Sequence, residues 1–496
     1  MLEASLLFCF LLPPLLFIFF KLFHTNADEK SPPKSYPFIG NYVSFYTYDQ
    51  GLTQWTSEAI HNSPNFTFLL RRPFVQKRVL TGNPANVQHI LKTKFSTYQK
   101  GDIFRSTLFD LLGDGIFNVD ADEWKFQRQL SSHEFNTKSL RHFVENVVDD
   151  ELNKRLIPIL TAAAANDTVL DLQDILQRFA LDNICRIAFG YDPAYLTPSL
   201  PKAKFAVAFE DAVRISSERF RMITPLFWKF KRFFNIGSEK RLKEAVAEIR
   251  QFTTNILNEK KQALTTEPVD LLSRFLNSGH LDEKRLTDIV ISFILAGRDT
   301  TSAALTWFFW LLYKNPAIES EVVNEVKDKE KSDSSIYDEV KDMVYTHASL
   351  CESMRLYPPV PVDTKQASAD DVLPDGTVVK KGMMVSYHPY AMGRMESIWG
   401  ENWMDFRPER WLEKDDTTEK MKFRAKDSYI YPVFQAGPRI CLGKDMAFLQ
   451  MKRVVAGVLR QFKVVPAVDD GVEPVFVAAL TSKMKGGFPV KIKERK

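Results

Sequence analysis

Apolar positions along this chain recur mostly at three- and four-residue spacing, which predicts a protein built largely from helices. The longest pattern runs from Glu283 to Lys314 with no proline until Pro316, predicting one helix roughly 45 Å long at 1.5 Å per residue. Residues 289–310 are apolar enough to cross a bilayer, but Arg298 and Asp299 sit at their centre. Each would cost ~2.5–3.5 kcal/mol there, so the pattern predicts a helix buried in a large core. A second periodicity, Ala447, Met451, Val454, Val455, Val458, Leu459 and Phe462, predicts an amphipathic helix beginning immediately after the Cys441 turn. Glu352 and Arg355 fall one turn apart on a third helix, which must stop before Pro358-Pro359. Trp124 and Arg128, at i and i+4, share one face of a fourth.

The N-terminus follows another pattern. Residues 4–20 carry no charge and are dominated by Leu and Phe, 17 residues against a lower limit of about 17 for a membrane span. A cleaved signal peptide is the rival, but no basic residue precedes the run, whereas Lys21, Lys30 and Lys34 follow it. The expectation is a membrane anchor over residues 1–24, a stiff proline-rich hinge over 25–40, and one catalytic domain over 41–496 in the cytosol. The sequons at Asn65 and Asn166 are then expected to be bare.

Composition narrows the function. The chain has 496 residues, 45% hydrophobic and 26% charged, with no flexible linker or repeat after residue 40. A net charge of +4 and the lack of a basic tract with interleaved aromatics argue against nucleic acid. Cys9, Cys185, Cys351 and Cys441 lie far apart, which argues against a disulfide scaffold or structural zinc and fits a reducing compartment.

Two stretches carry candidate chemistry. In Phe434-Gln435-Ala436-Gly437-Pro438-Arg439-Ile440-Cys441-Leu442-Gly443, a thiol sits in a glycine-flanked turn before a helix, where N–H groups and the macrodipole favour a thiolate. Gly437 can take angles closed to other residues, Gly443 leaves room for a flat cofactor, and Arg439 can reach an acidic group on it. A small buried hydrophobe explains Cys441 equally well on these grounds alone. In Ala296-Gly297-Arg298-Asp299-Thr300-Thr301, Ala296, Gly297 and Thr300 share a face of small side chains, and the Thr300 hydroxyl can bond back to the Ala296 carbonyl. That makes a shallow groove able to hold oxygen beside a carboxylate. A back-bonded threonine and a paired aspartate in a core helix are the plain alternative.

Phe434, Gly437, Arg439, Cys441 and Gly443 match every fixed position of Phe-x-x-Gly-x-Arg-x-Cys-x-Gly, which resembles the haem-ligand loop of the cytochromes P-450. The resemblance implies a mainly α fold, a triangular prism with a smaller β region. It implies haem b with Cys441 as axial iron ligand, Phe434 packed over the sulfur, and Arg439, Trp124 and Arg128 at the propionates. The 296–301 stretch resembles the family's oxygen-activating motif, giving Ala296 and Gly297 to the oxygen groove and proton delivery to Thr300 and, less directly, Asp299. Glu352, Arg355 and Arg410 resemble its charged triad, with Trp411 where Phe is commoner, a change expected to alter packing only.

Residues 132–137, 179–193, 371–377 and 390–395 resemble plant microsomal fatty-acid ω-hydroxylases. That likeness implies NADPH-dependent hydroxylation, with O2, of the terminal carbon of medium- and long-chain fatty acids at the endoplasmic reticulum membrane. Relatives acting on a jasmonoyl-amino acid conjugate are the alternative. Its substrate walls are expected in residues 103–117, 212–225, 293–301, 360–364 and 477–481, with Arg214, Arg219 and Arg221 as candidate carboxylate anchors. No dinucleotide fingerprint or phosphate loop occurs, so electrons must come from a separate NADPH-cytochrome P-450 reductase, docking near Lys125, Lys444, Lys452 and Arg453. A haem carrier or sensor, or a hydroperoxide isomerase, explains Cys441 but gives no use for Asp299 and Thr300.

Overall fold

The computed structural model describes residue 41 and residues 51–72, 77–201, 203–222, 224–262, 270–279, 281–330, 335–415, 419–468 and 471–495. The expected anchor and hinge lie outside them. Among the described residues no helix is long and apolar enough to cross a membrane.

In chain order, the elements that build the site are α1 (Leu52–His61), β1 (Thr67–Leu70), β2 (Arg78–Thr81), β3 (Tyr98–Gln99), α2 (Gly101–Leu112), α3 (Ala121–Ser132), α4 (Leu172–Phe189), α5 (Lys204–Arg219), α6 (Pro225–Phe233), α7 (Gly237–Gln262) and the central α8 (Glu283–Lys314). After it come α9 (Val344–Leu356), β4 (Asp363–Ala367), β5 (Met384–Tyr387) and α10 (Lys444–Gln461). The helices begin and end where local chemistry requires. The Asp171 carboxylate accepts the Gln173 and Asp174 N–H groups at the start of α4, and Gly190, at φ 65°, ends it. The Asp282 carboxylate accepts the Arg285 N–H at the start of α8, and α9 stops at Leu356, two residues before Pro358. Phe462, expected on the face of α10, instead opens a strand to Pro466 that pairs with Pro489–Glu494.

The expectation of one uniform helix over 283–314 is corrected in one respect. Residues Leu295–Asp299 form a π turn between the α-helical halves Glu283–Ile294 and Thr300–Lys314. The N-terminal half packs Leu286, Ile289 and Val290 into a core shared with α2, α4, α5 and α7. The C-terminal half packs Trp307, Phe308 and Phe309 into a larger core with α9 and α10. The π turn falls at the junction of the two, the kind of position at which such turns occur at functional sites.

The five-stranded sheet runs β1-β2-β5-β4-β3, antiparallel except for the β2–β5 pair. Its register sets Leu80 beside Ser386 and Ser386 beside Thr364.

Candidate active site

The Cys441 turn is closed by its own backbone: the Cys441 N–H donates to the Phe434 carbonyl at 2.9 Å and the Ile440 N–H to the Gly437 carbonyl at 3.1 Å. Gly437, at φ 65°, approaches the Leu91 carbonyl so closely that any Cβ would overlap it. Gln435 holds a positive φ of 59° without being glycine, anchored by its amide N–H donating to Asp363 Oδ2 at 2.7 Å. A Cβ at Gly443 would be 3.5 Å from Phe135 and 4.0 Å from Cys441 Sγ, ordinary contact distances, so packing within the chain does not by itself require glycine there.

Helix α10 starts at Lys444 with Gly443 as its N-cap, so Cys441 stands two residues outside the helix rather than at its first turn. The sulfur lies deep in the protein, yet its surface is open because it faces a cavity. Burial pushes the thiol pKa up, against the Gly443 N–H and the Arg128 and Lys444 charges, which favour the thiolate. The helix end therefore does not by itself make a thiolate, and a bound cation such as a metal would tip the balance.

The cavity, of about 480 Å³, is bordered by Cys441, Phe434, Ala296, Gly297 and Thr300. That volume lies within the usual range for small-molecule sites. Each predicted wall segment contributes: Phe104 and Ile116, Ser217 and Phe220, Phe293, Val360 and Val362, Leu480 and Thr481. The walls not anticipated include Leu52 and Thr56 on α1, Leu70, Arg78 and Leu80 on β1 and β2, and Ile184 on α4. Ile184 also explains Gly297, where a Cβ would come within 2.6 Å of the isoleucine side chain. Gly297 thus permits the α4–α8 contact as well as bordering the cavity.

The Thr300 hydroxyl donates to the Ala296 carbonyl at 2.6 Å, as its spacing predicts, and takes over a carbonyl at the π turn. Asp299 is placed differently from Thr300 and does not border the cavity. Arg298 Nη1 donates to its Oδ1 at 2.6 Å, and both side chains are buried. Arg298 in turn donates to Gln177 Oε1 at 3.3 Å. The Thr481 hydroxyl, which does border the cavity, donates to Asp299 Oδ2 at a long 3.4 Å.

Trp124 and Arg128 on α3 converge on the cavity, with the guanidinium 5.7 Å from the indole ring. Among the described residues neither the indole N–H nor the half-buried Arg128 has a hydrogen-bond acceptor. Arg439 stacks 4.6 Å from the same indole but also donates to Asp120 Oδ1 at 2.7 Å and the Val119 carbonyl at 2.8 Å. A flat tetrapyrrole with acidic side chains fits this donor set: an uncovered sulfur in the cavity wall and two unused donors for a propionate. Cys441 would hold its iron, with Trp124, Arg128 and Arg439 at its edge.

Sequence reasoning missed a charged cluster beside this edge. Asp363 on β4 accepts from Lys100 Nζ at 2.8 Å, Lys365 Nζ at 3.2 Å, the Tyr387 hydroxyl at 2.9 Å and Gln435. Burial pushes the Asp363 carboxyl up, but Lys100 and Lys365 outweigh it and hold it far below the usual range. The one local signal is a polar Asp-Thr-Lys run directly after an apolar one.

Several surface assignments change. Arg214 is an exposed residue tied to Asp211 and Glu218, and Arg219 is buried in a fork on Glu239, 4.3 Å from the Trp228 ring. Neither borders the cavity, while Arg221 does. Lys125 and Lys444 are exposed, but Lys452 and Arg453 are buried, Lys452 donating to the Lys341 carbonyl and Arg453 pairing with Asp149. They are core residues and not part of a docking face.

The predicted triad is assembled in the core. Arg355 Nε and Nη2 each donate to Glu352 at 2.8 Å, and Arg410 Nε donates at 3.1 Å. Trp411 does more than pack: its indole N–H donates to Glu352 Oε2 at 2.9 Å, a bond phenylalanine cannot make.

A family model described as Cytochrome P450 matches residues 31–487. The chain is 62% identical over 467 residues to cytochrome P450 94A1 of Vicia sativa, covering 93% of this chain and 90% of that protein. To cytochrome P450 94B1 of Arabidopsis thaliana it is 44% identical over 504 residues, covering 100% of this chain and 98% of that protein. Together with the sulfur-bearing cavity, these matches show that the chain belongs to the cytochrome P450 family.

Proposed function

We propose that this monooxygenase hydroxylates the terminal carbon of medium- and long-chain fatty acids, with O2 and with electrons from NADPH passed through a separate flavoprotein reductase. The observation that carries the reading is a largely apolar cavity bordered both by Cys441 and by the small side chains and hydroxyl of Ala296, Gly297 and Thr300 on the central helix. The likeness of residues 132–137, 179–193, 371–377 and 390–395 to plant fatty-acid ω-hydroxylases supports it. A terminal C–H bond is stronger than the internal ones beside it, so the walls must present the chain end-on.

Bound haem supplies the iron at which O2 is activated. The chain's own residues orient and protonate. With its proton committed to the Ala296 carbonyl, the Thr300 oxygen keeps lone pairs to accept a hydrogen bond in the cavity. Asp299 stores its charge behind the wall on Arg298, with the Thr481 hydroxyl between it and the cavity. Thr300→Val should therefore lower product formed per NADPH consumed by about a hundredfold while NADPH oxidation continues, the low end for a positioned proton-transfer group. Unchanged coupling in the variant would remove Thr300 from proton delivery.

We further propose that residues 1–24 anchor the protein in the endoplasmic reticulum membrane with the catalytic domain cytosolic. The exposed Leu226, Phe227, Phe230 and Phe233 on α6, interleaved with Lys229, Lys231 and Arg232, support a body resting on an anionic lipid surface. The deciding assay is reconstitution with reductase and NADPH on a fatty-acid series and on a jasmonoyl-amino acid conjugate. The proposal expects ω-hydroxy acid as the main product. A carrier yields no product, and an isomerase works on hydroperoxides without NADPH.

A further inference from the structure

The cations bordering the cavity are mostly engaged. Lys100 is held by Asp363, Arg439 by Asp120, and Arg128 stands beside the Cys441 sulfur. Arg78, at the start of β2, is like Arg128 in having no carboxylate partner among the described residues, but it stands on the sheet side of the cavity. Its Nε donates to Ser386 Oγ at 2.8 Å and its Nη2 to Thr364 Oγ1 at 2.6 Å, and those two hydroxyls are themselves 2.9 Å apart. The sheet register that puts Thr364 beside Ser386 thus grips the guanidinium from one side. Nη1 has no partner among the described residues, and no carboxylate pairs with Arg78 there. Leu70, Leu80 and Leu52 border the cavity with it.

We propose that Arg78 anchors the substrate's carboxylate, holding the acid end of the chain at the sheet side of the cavity while the opposite end reaches Cys441. This deepens the fatty-acid reading and rests on it. A guanidinium held deep in protein without an anion is costly, and a ligand carboxylate supplies the missing charge through paired N–H···O bonds. Burial, and then the neighbouring Arg72, push the Arg78 pKa down to about 9, as expected of a cation lacking its counter-ion. Arg72, whose Nη1 donates to the Phe220 carbonyl at 2.9 Å, borders the same part of the cavity.

A carboxylate can also come from a haem propionate, and the test separates the two. In the full-length, haem-loaded protein, equilibrium binding and kcat/KM are measured for laurate and methyl laurate. Wild type should favour the acid by about tenfold or more, the effect expected of a charge-assisted pair. Arg78→Gln should abolish that preference, Arg78→Lys should keep part of it, and Arg214→Gln, outside the cavity, should keep all of it. An acid preference intact in Arg78→Gln overturns the anchor and leaves the fatty-acid reading standing. Haem loss in Arg78→Gln, with the loaded fraction still preferring the acid, assigns Arg78 to the propionate and overturns it too. If Arg78→Gln does not fold, the wild-type and Arg78→Lys comparison decides, and wild type binding the ester as tightly as the acid overturns the anchor. Wild type that binds neither compound overturns the fatty-acid reading and the anchor together.

Discussion

Cys441→Ser is expected to abolish product formation and the ferrous carbon monoxide absorbance at about 450 nm while leaving the protein folded. The geometry separates the two effects. The sulfur surface faces the cavity and not a packed core, so exchanging sulfur for oxygen leaves no void among apolar neighbours. The loop is held by the Cys441 N–H on the Phe434 carbonyl, a bond serine keeps. What changes is the donor: a hydroxyl has a far higher pKa than a thiol, and the Gly443 N–H, Arg128 and Lys444 cannot make it an anion where burial already opposes the thiolate. The check is absorbance of the reduced, carbon monoxide-treated protein beside its circular dichroism. A serine variant that keeps the band and the turnover would remove Cys441 from the site.

Glu352→Gln is expected to cost about 3–5 kcal/mol, the loss seen when one member of a buried charge cluster is neutralised. Glu352 is fully buried and accepts from Arg355, Arg410, Trp411 and the Arg407 backbone N–H. Arg355 is equally buried and ties this cluster to the Trp403 and Asp405 carbonyls, so the neutral amide strands a guanidinium in the core and presents an N–H to donors. Against a total stability of about 5–15 kcal/mol, much of the protein should fail to accumulate folded. Arg410→Lys, which keeps a cation at a partly open position, should cost less. Urea unfolding midpoints of the purified variants decide, and a Glu352→Gln midpoint equal to wild type would show that the cluster holds nothing.

These two residues also mark where sequence reading was strong. Cys441 with its flanking glycines, Thr300 four residues after Ala296, and Glu352 three before Arg355 are local patterns. Backbone geometry translates such spacings directly into a turn, a hydroxyl-to-carbonyl bond at 2.6 Å, and a side-chain pair at 2.8 Å. The wall segments were legible for another reason, their likeness to a family whose elements run in the same order. The central helix was legible as a helix, but not its π turn, because periodicity over thirty-odd residues tolerates one slipped hydrogen bond.

Charged side chains were the least legible. Lys452 and Arg453 read as surface cations, and Arg219 as a substrate anchor, because a sequence shows a charge without its distant partner. The partners lie far along the chain: Asp149 for Arg453, Glu239 and Asp110 for Arg219, Thr364 and Ser386 for Arg78. Local order along the backbone therefore decided the helices, the cysteine turn and the threonine notch. Tertiary packing alone decided which cations are neutralised and that Arg78 faces the cavity without a carboxylate partner among the described residues, because a buried charge is settled by whichever distant group the fold brings within about 4 Å.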